Sequence, residues 1–156
     1  MNAAMELYPA VVVHGLNDAV AALTAGSPKT LLSAPGAALY AGCGWWKALI
    51  EAARAAHPNA NCIDILDCAD GTGHALAALR IGVTRLVLWP NAPGRDAVVA
   101  IAHAAGGFVL ATAPPSVVAG SAPAPLAPAP LASAPLASAP KVVPARANGD
   151  KRRAPG

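Results

Sequence analysis

Residues 67–74 read DCADGTGH, the stretch in which this chain gathers the most chemistry into the fewest positions. Two carboxylates, two glycines and an imidazole fall within it. Such a set has two chemical uses. Gly71 and Gly73 let backbone N–H groups approach a phosphate or carboxylate at the start of a helix. Alternatively, Asp67, Asp70 and His74 form an acid–base or cation-holding constellation. The two uses conflict, because the acids repel the anion that the glycines would cradle. A purely structural use competes with both: Asp70 caps the next helix, the glycines turn the chain and His74 faces solvent.

A second stretch, SAPGAALYAGCGWWKAL at 33–49, resembles a catalytic motif until its spacing is checked. A phosphate-binding P-loop needs G-x-x-x-x-G-K-[ST]. Gly36 and Gly42 are one residue too far apart, and Cys43 follows Gly42. The dinucleotide fingerprint G-x-G-x-x-G is half made by Gly42 and Gly44, with Lys47 in the third glycine's place. Ser33 lacks the flanking glycines of a nucleophile elbow. Cys43 stands at a helix start, which suits a nucleophilic thiol, although a small packed thiol is the commoner role. The histidines His14, His57, His74 and His103 are scattered, and none is paired at metal-ligand spacing. No metal site is expected, and the residues name no cofactor.

The elements that must position these residues follow from the apolar pattern. Short continuous apolar runs at about 10–14, 29–33, 62–67, 85–89 and 107–112 read as strands buried on both faces. Helical segments at about 17–25, 43–57, 71–81 and 93–105 alternate with them. Asn17 is the expected cap of the first, and Gly26, Gly82 and Gly106 stop three of them. The alternation predicts an α/β fold: a three-layer domain with a five-stranded parallel sheet. A flavodoxin-like strand order 2-1-3-4-5 is favoured over a Rossmann-like 3-2-1-4-5. Ligands in such sheets bind beyond the carboxyl ends of the strands. That edge would gather His14, Ser33, Gly36, Cys43, Asp67, Asp70, Gly71, Gly73, His74 and Trp89. The second strand–helix connection runs about nine residues where two to six would do.

Composition changes after residue 112. Residues 1–112 carry six Lys/Arg and seven Asp/Glu, whereas 113–156 carry five bases and only Asp150. The basic balance of +3 therefore belongs to the tail and does not mark the domain as a nucleic-acid binder. Ten of the 16 prolines lie in 113–156, many in an imperfect PLASA repeat. This composition predicts a disordered Ala/Pro-rich tail over 113–156, after a domain over 1–112. The tail ends in Lys151, Arg152 and Arg153, usually a solvated end and at most a weak grip on a polyanion.

No run is long, apolar and unbroken enough to cross a membrane, and no basic residue precedes the first apolar run as a secretory signal would require. Three cysteines, an odd number in a chain of this size, fit free thiols in a cytoplasmic protein. Trp45 and Trp46 point about 100° apart on one helix, so one is expected in the core and the other at a boundary. The domain is poor in surface charge, which makes a homo-oligomer through the Trp45/Trp46 helix a reasonable expectation.

The motifs TLLSAPGAALYAGCGWWKAL and IDILDCADGTGHALAALRIGVTRLVL resemble those of a set of short, uncharacterised bacterial α/β proteins. The resemblance spans about 10–112 and implies one domain with a variable tail. It carries no activity and assigns no residue a role. The expected function is a binding or interaction module with its site at the carboxyl edge. A small enzyme of hydrolase or lyase type using Asp67, Asp70 or His74, and a homo-oligomeric structural protein, are the alternatives.

Overall fold

A computed structural model describes residues 7–120. Six strands and five helices follow one another: β1 Ala10–Val13, α1 Leu16–Thr24, β2 Lys29–Ser33, α2 Ala37–Tyr40, α3 Cys43–Ala56, β3 Cys62–Asp67, α4 Thr72–Arg80, β4 Arg85–Val87, α5 Arg95–Ala104, β5 Phe108–Leu110 and β6 Ser116–Val118. The fold is α/β with a wholly parallel sheet. No helix among the described residues is long and apolar enough to cross a membrane.

The sheet corrects three expectations. It has six strands and not five, because Ser116–Val118 pairs with Ala10–Val12. That strand lies within the segment that composition assigned to the tail; residues 121–156 lie outside the described part. The order is β5-β4-β3-β2-β1-β6, neither flavodoxin-like nor Rossmann-like. The domain is also not three-layered. From β1 to β5 each strand is added on the same side of the last, so right-handed crossovers place every helix on one face. Buried residues of α1 to α5 accordingly share one cluster with Val11, Val13, Leu31, Leu66, Leu86 and Leu88. The opposite face holds a separate cluster of Leu32, Ile65, Val87 and Phe108, with no helical member among the described residues.

The join from β5 to β6 shows that this sheet is curled. The two strands are the outermost of the order, yet only residues 111–115 connect them. Six Cα steps reach at most about 21 Å. Five strand spacings across a flat sheet need about 24 Å, before any shift along the strands. The edges must therefore bend toward each other, with the helices outside, as in a parallel barrel left open at one seam.

Alanine makes the outer layer compact. Ala19, Ala53, Ala75, Ala78 and Ala102 are wholly buried and bring their helices close to the strands. Trp46 in this layer has no exposed surface, while Trp45 is half-buried beside it, with ring centroids 6.0 Å apart. Trp46 Nε1 is buried without a hydrogen-bond partner among the described residues.

Two helix starts differ from expectation. Helix α1 begins one residue early, after Gly15, so Asn17 is not its cap. Asp18 in the first turn accepts the His14 N–H through Oδ2 at 2.9 Å, closing the entry from inside the helix. Helix α4 begins after Gly71, and Asp70 makes no capping bond.

Candidate functional site

The carboxyl edge is built around a pair of buried polar side chains, Ser33 at the end of β2 and Asp67 at the end of β3. Ser33 Oγ accepts the Asp67 N–H at 2.9 Å and donates to the Ala34 carbonyl at 3.1 Å. Asp67 Oδ1 accepts the Gly36 N–H at 3.1 Å and the Ala69 N–H at 2.8 Å. One carboxylate oxygen thus ties the connection after β2 to the connection after β3. The Gly36 and Ala69 N–H groups are thus met by an internal anion, and the Gly71 N–H is met by the Cys68 carbonyl at 2.8 Å.

Ala69 is the only non-glycine residue with positive φ among the described residues, at 49°. A left-handed alanine is held under strain, and it persists only where its surroundings hold it. Here its N–H is bound by Asp67 and its carbonyl accepts the Trp89 N–H at 2.7 Å. The loops after β3 and β4 are joined a second time where Thr72 Oγ1 donates to the Pro93 carbonyl.

The long connection over 34–42 is not slack. It contains α2, whose Ala37 and Ala38 are buried, while Leu39 and Tyr40 are 44% and 70% exposed. Gly36 enters this turn with φ +65°. Leu39 lies against the next loop so closely that a Cβ on Gly71 would stand 2.5 Å from Leu39 Cδ2 and 3.0 Å from the Cys68 carbonyl oxygen. The extra residues form a plug over the strand ends.

The remaining candidates divide between core and surface. Cys68 is wholly buried, and its thiol is pushed up to about 12 by burial first, then by Asp67 and Cys43. It is a neutral core thiol and no nucleophile at neutral pH. Cys43 is half-buried at the start of α3, and all three cysteines are free. His14 is exposed, its Nδ1 3.6 Å from Asp18 Oδ2. Asp70, Gly73 and His74 are exposed, and no hydrogen bond joins Asp67, Asp70 and His74. No group of three or more His, Cys, Asp or Glu that could hold a metal ion occurs among the described residues.

Four large apolar side chains at this edge face solvent. Leu16 after β1, Leu39 and Tyr40 after β2, and Trp89 after β4 are each more than 40% exposed. Of these, the sequence placed Trp89 and the 35–44 connection at the edge but singled out neither Leu16 nor Leu39. The signal was present in the latter: two apolar residues, Leu39 and Tyr40, inside a connection too long for its task.

A second polar centre lies at the amino edge and was missed. Asp64, the charged residue inside the apolar strand CIDILD, is buried on the helix side of β3. Its Oδ1 accepts Arg54 Nη2 at 2.7 Å and lies 3.7 Å from Arg85 Nη1. Burial pulls the Arg54 guanidinium toward deprotonation, but Asp64 and Cys62 together outweigh it and raise its pKa. A lone acid in a buried strand was the available clue.

No protein-family model matches this chain, and the search of curated proteins found no match. Its function must be read from its own geometry.

Proposed function

We propose that this domain is an interaction module that binds an apolar partner surface at its carboxyl edge. One observation carries the reading. Leu16 at the start of α1, Leu39 and Tyr40 in α2, and Trp89 after β4 are exposed beyond the strand ends, whereas Ser33 and Asp67, the polar groups best placed for chemistry, are spent on internal bonds. Tyrosine and tryptophan are the residues that anchor protein interfaces most often. Asp70, His74 and His14, exposed on the same connections, supply the polar groups that an interface rim uses. Catalysis by Asp67, Asp70 or His74 has less support, since nothing bonds these groups to one another. A homo-oligomer through the Trp45/Trp46 helix would rest on Trp45, because Trp46 is buried. Free thiols at all three cysteines suit a cytoplasmic location.

The test is a photo-crosslinking amino acid placed at position 40, at 89, or at 103 on α5 as a control. The reading expects a discrete adduct from 40 and 89 that 103 does not form. A doubled mass would identify the partner as a second copy. Equal labelling at all three positions, or none at 40 and 89, would remove the proposal.

A further inference from the structure

The amino edge carries a separate cleft of about 240 Å³ between α3 and the turn leading from α4 into β4. Lys47, Glu51 and Arg54 of α3 line it with Asp64, Thr84 and Arg85. Glu51 lies 3.8 Å from Lys47 Nζ, which donates to the Ile81 carbonyl at 3.0 Å. Asp64 takes one hydrogen bond from Arg54, and its 3.7 Å separation from Arg85 is too long for another. Three cations face two carboxylates, a net of +1.

The donors outnumber the acceptors. Each guanidinium has five N–H groups in a fixed fork. Among the described residues the pair makes one hydrogen bond to a carboxylate, from Arg54 to Asp64, and both side chains are more than a third exposed. Neither the N–H nor the hydroxyl of Thr84 has a partner among the described residues. Asp64 holds both guanidiniums at one carboxylate oxygen, which leaves the triad with one positive charge uncompensated.

We propose that this cleft binds a phosphate group, free or carried on a small molecule, between the Arg54 and Arg85 guanidiniums with Thr84 as a further donor. The number of donors selects the ligand. Two guanidinium forks, a hydroxyl and an amide exceed what the two oxygens of a carboxylate can use, and they suit a tetrahedral anion. The cleft has the volume of about eight waters at ~30 Å³ each, enough for a phosphate and a small organic group. Asp64 pre-sets both guanidiniums and so lowers the ordering cost of binding. This site shares no residue with the carboxyl edge and stands without it.

The experiment uses the full chain, titrated with inorganic phosphate and with glycerol 3-phosphate against chloride at equal ionic strength. Amide NMR spectra and melting temperature are followed. Saturable shifts at 47–54 and 81–85 and a melting temperature above the chloride control are expected. Tighter binding of glycerol 3-phosphate would show that the group is carried on a small molecule; equal or weaker binding would show the free anion. Arg85→Gln should weaken binding at least tenfold. If that variant does not fold, Thr84→Val should weaken it at least threefold. No shift beyond the chloride control overturns the proposal. Shifts confined to Lys151–Arg153, or unchanged affinity in the variants, overturn it as well.

Discussion

The Asp67 carboxylate and the Ala69 N–H meet at 2.8 Å across a single intervening residue, and this contact holds a left-handed alanine in place. The same oxygen reaches Gly36, 31 positions earlier in the chain. A local turn and a long-range tie therefore share one atom, which makes Asp67 the residue on which the carboxyl edge depends.

Removing that carboxylate should cost more than an ordinary surface change. Asp67→Ala leaves two buried or half-buried N–H groups without their acceptor, at about 1–3 kcal/mol each. Asp67→Asn keeps a carbonyl oxygen and should cost about half as much. Urea unfolding of both variants checks the order. A loss below about 1 kcal/mol in Asp67→Ala would show that the brace is dispensable.

Glycine should replace Ala69 without penalty. The left-handed conformation costs alanine roughly 1 kcal/mol that glycine does not bear, against the small loss of a buried methyl. Ala69→Gly is expected to unfold within about 1 kcal/mol of the parent or above it. Ala69→Val, β-branched at positive φ, should fall well below both in the same measurement.

The Cys68 thiol gives a pH signature. Its pKa is raised from the ordinary 9.0 to about 12, so the folded state holds the proton more tightly than the unfolded state. The stability linked to that proton is fully present below about pH 9 and is lost as pH climbs toward about 12. The stability difference between the parent and Cys68→Ala should therefore shrink across that window. In the native state at pH 8, iodoacetamide should modify Cys43 and Cys62 and spare the buried Cys68.

Trp46 offers a test of its orphaned N–H. Trp46→Phe removes both the unpartnered donor and some buried apolar area, two effects of opposite sign, and should change stability by less than about 1.5 kcal/mol. Trp46→Ala leaves a cavity in the outer layer and should cost about 3–5 kcal/mol. A phenylalanine variant as unstable as the alanine one would mean that Nε1 has a partner after all.

The sequence by itself determined the elements of this protein. Short apolar runs such as KTLLS and RLVLW, bounded by turn residues, read as buried strands, and the glycines between them mark where helices stop. It also brought Ser33 and Asp67 to one edge, since both end strands that run the same way. Only the tertiary structure decided what those residues do there. Asp67 is a brace and not an open acid because α2 folds back onto it, a contact that depends on three-dimensional packing. Strand order was decided there too. Every βαβ unit obeys the same handedness whichever side the next strand joins, so local pattern cannot distinguish a sheet that reverses from one that keeps curling. The sixth strand shows the same limit most clearly. Three residues, SVV, after a pair of prolines carry almost no local strand signal, and they pair with β1 because the curled sheet brings that edge within reach of a five-residue connection.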